Sequence, residues 1–522
     1  MQAIMRIIVC LLLAASSLAG CGRPVGEAAD ADTLRVAMSS FSDGTFLPWN
    51  GSIGRKPYLD TIYEYLVYFE PGSHELRPGL AERWESSADG KSFTLWLRKG
   101  VQFHENWGEL TANDVKYTLD RTMDRSSIAG ISSTLRYLVR EVRVIDRYEV
   151  RIELREPDID FIPGYLSNGL IVPIVCKRYI ESVGDEIANR EPIGTGPYRL
   201  AAFREDTYID EVAVDGGKGN WRVKPAFPRI RFLSAPEEFT RAAMLKAGEV
   251  DIAPINYDSI DALHKAGIRT MYVEGNWVPV VRFGGLSKSF PDPDVPWRKR
   301  EVRQAMNFAV DKEAIVRYIL HGHARIVPAD FTAREWLDIK PYPYDPDKSR
   351  QLLAAAGYPD GFDMTLRTFT ASPGAELPII AEAIAAYWRD VGIRTSIVPT
   401  TWTSLRTAWS SGHARDIAWT HRGLAFTSVL QGLIANAHSS NLFATFTNDH
   451  TDAAVEAIGR EVDRDKREIL IHQLGQYLRD QAASVFIGFA NEPYGLSNRV
   501  GQWPTLNEQG TNLDLVTRRR KD

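Results

Sequence analysis

The sequence predicts an α/β fold whose domains are interleaved along the chain, and three features point to it. Helix-period and strand-period segments alternate through most of the chain. In the second half, helix patterns stop at a glycine just before an alternating apolar run, as in sheets covered by helices. No break in composition divides the 522 residues into successive blocks, so domains built from separated stretches are expected. With 44% hydrophobic and 25% charged residues, the chain is globular rather than disordered. Its formal charge of −5 offers no electrostatic case for nucleic acid.

The N-terminus carries its own message. Met1 to Arg6 contains one basic side chain, and Ile7 to Ala19 contains no charge. That run is too short to span a bilayer as a stable helix but suits a secretory signal. It ends in Leu18-Ala19-Gly20-Cys21, which resembles the bacterial lipoprotein box. Residues 1–20 are therefore expected to be removed, and Cys21 to carry a lipid that anchors the chain to a membrane on the periplasmic side. An ordinary signal followed by a chance cysteine is the alternative. Residues 21–32 lack periodicity and read as a spacer. Cys176 is then left without a disulfide partner, and the apolar run before it predicts a buried structural thiol.

The elements follow in order. Thr33 to Met38 alternates as an opening strand, and Phe93, Leu95 and Leu97 mark another. Thr111 to Met123 reads as a helix with Thr111 at the cap and Asp114 three residues on. Val142 to Leu154 reads as a hairpin turning at Asp146-Arg147. Asp345-Pro346-Asp347 opens a helix that stops at Gly357, before a strand from Phe362 to Thr368. A longer helix from Ala375 to Val391 closes at Gly392, before a strand from Ile393 to Val398. Thr451 to Gln481 reads as two helices meeting near Asp463, and Ser484 to Ala490 as a final strand.

Several stretches share a family pattern. Arg77-Pro78-Gly79-Leu80-Ala81-Glu82-Arg83-Trp84 leads into Asp89-Gly90-Lys91-Ser92-Phe93 and on through Leu97-Arg98-Lys99-Gly100-Val101-Gln102-Phe103-His104. Leu110-Thr111-Ala112-Asn113-Asp114-Val115, Gly194-Thr195-Gly196-Pro197-Tyr198, Gly248-Glu249-Val250-Asp251 and Val302-Arg303-Gln304-Ala305-Met306-Asn307 follow in order. Tyr344-Asp345-Pro346-Asp347-Lys348 and Leu352 to Tyr358 complete the set. Together they resemble the family-5 extracytoplasmic solute-binding proteins of ABC importers, which take dipeptides, oligopeptides or nickel. The resemblance runs from about Thr33 to Trp503. It implies a type II periplasmic-binding-protein fold of two hinged lobes plus an extra domain, of the cluster C kind. Lobe I would comprise 33–52, 190–275 and 485–522, the extra domain 53–189, and lobe II 276–484. The implied partners are a small-molecule ligand, an ABC permease in the cytoplasmic membrane and, through Cys21, the membrane itself. The protein would act as a monomer, without cofactor or metal.

Two departures bear on the ligand. In the peptide and nickel binders, a strand ending in Trp is followed by an acidic Asp-Pro segment. Here Asp416-Ile417-Ala418-Trp419 continues Thr420-His421-Arg422-Gly423, and no Asp or Glu recurs until Asp449. A buried ammonium without a counter-charge costs several kcal/mol, so the reading disfavours an ordinary peptide and favours an anionic or neutral solute near Arg422. In the second departure, Trp277 to Gly285 carries Arg282 where relatives have an uncharged residue. That guanidinium requires an anionic partner, in the ligand or within the protein. Trp49, Trp277, Trp402 and Trp419 fall in segments that face the cleft in relatives, which suits an aromatic-compatible ligand. Metalloprotease, Cys-x-x-Cys and Gly-x-Ser-x-Gly patterns are absent. The close pair His321-Gly322-His323 lacks evident further ligands, and no enzyme is expected. An envelope sensor or assembly protein on the same scaffold is the alternative to transport.

Overall fold

The computed structural model describes residues 31–519 apart from 72–74, 170–171, 218–219, 289–293, 329–337, 371–373, 415, 425–427, 442 and 505–511. The expected signal sequence and Cys21 lie outside the described residues. A twelve-stranded mixed sheet runs through the molecule. Its order is 393–399, 362–368, 418–424, 269–283, 489–496, 252–254, 33–38, 229–234, 208–213 and 198–204, with short strands 324–325 and 485–486 branching from the centre.

The two central strands join the halves of this sheet. Arg269–Phe283 pairs through Arg269–Val273 with Leu496–Glu492, and through Trp277–Phe283 with Leu424–Ala418. Phe489–Leu496 in turn pairs at Tyr494–Leu496 with Ile252–Pro254 and at Phe489–Ala490 with Ala324–Arg325. Between Val273 and Trp277 the register shifts. Gly275 sits in that bulge with φ +59°, a backbone region that favours glycine. The Asn491 side-chain carbonyl accepts its N–H at 2.9 Å, so the bend is pinned by the partner strand.

A separate four-stranded antiparallel sheet, ordered 81–86, 92–97, 149–154 and 139–146, occupies the stretch read as an extra domain. The expected hairpin forms at Asp146, and Thr111 caps Ala112–Met123 in a reciprocal box with Asp114. Phe93, Leu95, Val150 and Ile152 of this sheet belong to one apolar cluster with Leu430, Leu433, Ile434 and Ile458 of later helices. A second cluster gathers Met306, Leu366, Ile384, Trp388 and Trp419. Burial of such large side chains supplies the main drive for folding.

Local signals account for most boundaries. Asp345 and Asp463 accept N–H groups from Lys348 and Lys466 and start their helices, as Asp311 does for Ala314. Cys176 is 1% exposed, and burial pushes its thiol up to about 11. The final strand departs from expectation. It divides into Val485–Phe486, paired with Val280–Val281, and Phe489–Leu496, and between them Gly488 runs so close to the Arg325 carbonyl that a Cβ would lie 2.6 Å from it. The Gly194–Pro197 turn is likewise a packing device. Side chains there would overlap the Thr61 and Ile62 carbonyls. His104 closes over it, with Nε2 2.8 Å from the Gly196 carbonyl and Nδ1 accepting the Gly194 N–H at 3.3 Å.

Candidate functional site

Where the bent central strands pass from one half of the sheet to the other, they border a cavity of about 260 Å³, open solvent included. Arg241, Pro254 to Tyr257, Glu492 and Pro493 line it from one side, and Trp277 with Gly374 to Glu376 from the other. The walls are therefore contributed by five separated segments, which the fold rather than the sequence brings together.

Each wall residue is held by its own element. Arg241 is buried on helix Glu238–Ala247 and donates to the carbonyls of Ala235, Pro236 and Pro254 at 2.7–2.8 Å. Burial lowers its pKa, while Glu238 and Glu492 pull it back. The Tyr257 hydroxyl donates to the Asn491 carbonyl. Its ring stacks with His321 at 5.9 Å and His323 at 5.8 Å, so those histidines brace the cavity wall. Trp277 is 1% exposed, and its ring would lie 3.3 Å from a Cβ on Gly374, which has φ +102°. Gly374 is thus glycine by conformation and by contact. Glu492 is 4% exposed and accepts from the Tyr494 hydroxyl at 3.1 Å. Burial raises the Glu376 carboxyl, its own and the Tyr257 backbone N–H groups oppose that, and acidic Asp258 and Glu238 raise it further.

Of the six expected ligand contacts, two stand here. Trp277 lines the cavity. The Arg422 stem runs beside Gly374, at 3.7 Å from where a Cβ would be, and opposes Pro279 across the strand pair. Burial lowers the Arg422 pKa, and Glu492 and Tyr494 counter it. Three others form a cluster farther along the same strands. Trp419 is fully buried, 5.0 Å from the Trp409 ring, and borders a second depression of about 290 Å³. Arg282 donates to Thr445 Oγ1 at 3.1 Å and Asn436 Oδ1 at 2.6 Å, and lies 5.8 Å from the Trp409 ring. Trp402, 40% exposed, packs against Phe369 and against His421. Burial, Arg282 and Arg422 together keep the His421 ring neutral. Trp49 stands apart from both groups. Its indole N–H donates to Asp185 at 3.3 Å, and Arg121 lies over its ring at 4.5 Å.

Arg241, Tyr257, Glu376 and Glu492 were not anticipated from the sequence. One usable signal was present. Glu492 interrupts an otherwise uncharged strand, Phe489–Leu496, and an acid placed inside such a run needs a reason.

Comparison with known proteins bears on this arrangement. A family model described as bacterial extracellular solute-binding proteins, family 5 Middle, matches residues 75–443. This chain belongs to the family-5 solute-binding proteins. It is 28% identical to the heme-binding protein A of Haemophilus influenzae over 93% of this chain and 95% of that one. It is also 28% identical to the dipeptide-binding protein of Escherichia coli, over 82% and 83%. Among solved structures, the ABC transporter-associated periplasmic binding protein DppA of Helicobacter pylori, in complex with peptide STSA, superposes with a TM-score of 0.81. That match has 22% identity and covers 94% of this chain and 98% of that one. The family consists of periplasmic solute-binding proteins rather than enzymes, and the expected α/β periplasmic-binding-protein fold is the one observed. Among the described residues of this family-5 protein, no group of three or more His, Cys, Asp or Glu side chains is placed to hold a metal ion. No described helix is long and apolar enough to cross a membrane.

Proposed function

We propose that this protein is the lipid-anchored substrate-binding component of an ABC importer. It would capture a small organic solute between its lobes and deliver it to a membrane permease. The observation that carries the reading is the cavity built from both halves of the sheet, at the bend of the two strands that connect them. In such a site, closure desolvates a ligand from two sides at once. Lobe I is assigned to 33–52, 190–275 and 485–522, the extra domain to 53–189 and lobe II to 276–484, with Cys21 as the lipid site. Both arginines singled out in the sequence have contacts within the protein. Arg282 is held by Thr445 and Asn436, and Arg422 lies in the field of Glu492.

Two measurements test the proposal. Ligand addition should change Trp fluorescence, since Trp277 lines the cavity, and should make the scattering profile more compact. A single rigid body, unmoved by a broad panel of small solutes, would count decisively against capture. Cys21→Ser should move the protein from the membrane to the soluble fraction of its host envelope, and retention of the variant on the membrane would refute the lipid anchor.

A further inference from the structure

We infer that the solute bears a cationic group, an ammonium or guanidinium, and that Glu376 is the specificity-determining residue that receives it. This rests on the solute-binding reading above and extends it to the ligand's chemistry. Among the described residues, the charged side chains at the cavity or acting on its walls are Arg241, Arg422, Glu238, Glu376 and Glu492, with Asp258 and Glu237 exposed beyond them. Arg241 is engaged with three carbonyls and lies in the field of Glu238 and Glu492. Arg422 lies in the field of Glu492. Two cations thus face three carboxylates, and the excess falls at Glu376, whose acting ionised neighbours are both acidic.

Its position sharpens the point. Glu376 is 9% exposed, lines the cavity and precedes helix Leu377–Asp390, yet its side chain makes no capping bond to that helix. The helix N-terminus supports a nearby carboxylate by about half a charge at most, and the Glu376 and Tyr257 backbone N–H groups add dipoles rather than a cation. A buried carboxylate in that state is costly unless a cation pairs with it. The adjoining residues outside the described set, Ala371 to Pro373, are uncharged by sequence. Trp277 and Tyr257, which also line the cavity, offer rings against which a cation is attracted. The counter-charge missing after Trp419 in the sequence is thereby supplied from a different segment.

The test uses the full purified chain, with L-lysine, L-arginine and putrescine, their N-acetylated counterparts, and glutarate and glucose as probes. Binding is read by thermal shift and calorimetry. At least one probe with a free cationic group should bind at least tenfold more tightly than its acetylated counterpart. Glu376→Gln should erase that preference, with circular dichroism and the ligand-free melting temperature kept close to the parent's. Glu376→Lys, which reverses the charge at that position, should abolish binding of the cationic probes, with circular dichroism showing that the variant is folded. If glutarate or glucose binds as tightly as the cationic probes, or if the preference survives in Glu376→Gln, the assignment of Glu376 is overturned while solute capture stands. If no probe of any charge binds, solute capture at this cavity is contradicted and the assignment falls with it.

Discussion

Asp158 to Asn is the substitution whose effect can be worked most directly from the structure. Asp158 is fully buried beside helix Phe161–Tyr165. One carboxylate oxygen accepts the Asp160 N–H at 3.0 Å, and the other is buried without a partner. Burial first, and then Asp160, push the carboxyl from its ordinary 3.8 up to about 7, while Arg467 opposes them. The native state therefore holds a proton that the unfolded chain has already released between those two values. Stability falls as pH rises through that window, because the native state binds more protons there. At 1.36 kcal/mol per pH unit, the ceiling of the penalty above pH 7 is about 4 kcal/mol. Local relaxation and water entry reduce this to about 2 kcal/mol. Asn is neutral at every pH and keeps an oxygen for the Asp160 N–H. The variant should be more stable than the parent by ~2 kcal/mol at pH 8.5 and within ~0.5 kcal/mol at pH 4.5. Urea unfolding at both pH values, with equal m-values, measures this. An equal difference at the two pH values, or a loss at pH 8.5, would refute the reasoning.

Three further substitutions or titrations follow from the same structure. Burial lowers His104 to about 4 against a gain from the Gly196 carbonyl, so the neutral ring's contribution is present above pH 6.5 and is lost as pH falls toward 4. Imidazole NMR should show His104 unprotonated at pH 5.5, and a midpoint near 6.5 would contradict this. Arg467 is 7% exposed, pairs with Asp160 at 2.7 Å and thereby ties the proposed extra domain to the later helices. Arg467→Ala should cost about 1.5–3 kcal/mol by removing a charged hydrogen bond to the partly exposed Asp160; a loss below ~1 kcal/mol in chemical unfolding would show that the pair is solvated in solution. Trp277→Ala should cost about 3–5 kcal/mol and remove the ligand-dependent part of the fluorescence change. A full fluorescence response in that variant would place the reporter elsewhere.

The readable parts of this fold are those whose physics is confined to a few residues. Thr111 with Asp114, Asp345, Asp311 and Asp463 all start helices as expected, because a cap is completed within three positions of itself. The strand 484–490 broke differently, at a place where Gly488 meets Arg325, far away in sequence. The cavity was legible only in part for the same reason. Trp277 was reached through the family resemblance, but Arg241, Tyr257 and Glu376 have no local pattern that marks them. They meet only because the sheet places 252–254 beside 489–496 and 489–496 beside 269–283. Arg282 shows the same limit, since its partners cannot be read locally. A charge in an apolar strand drew attention as a ligand contact, and in the structure a hydroxyl and an amide from helix and loop hold it.

The location of the cavity on the two central strands has a mechanical consequence. Trp277 follows Gly275 by two residues on one strand, and Glu492 follows Asn491 directly on the other. Asn491 holds the Gly275 N–H, and its own carbonyl accepts the Tyr257 hydroxyl. A solute pressing on Trp277, Tyr257 and Glu492 therefore acts on residues bonded to the bend itself, without a relay through either core. Space does not require glycine at position 275, since a Cβ there would meet Phe489 at an ordinary 3.7 Å. The positive φ favours it, and the residue falls within the register shift between Val273 and Trp277. If the proposed solute binds at this cavity, ligand contact and bend would be properties of the same few residues, and any energy difference the solute created between open and closed forms would be expressed at the bend.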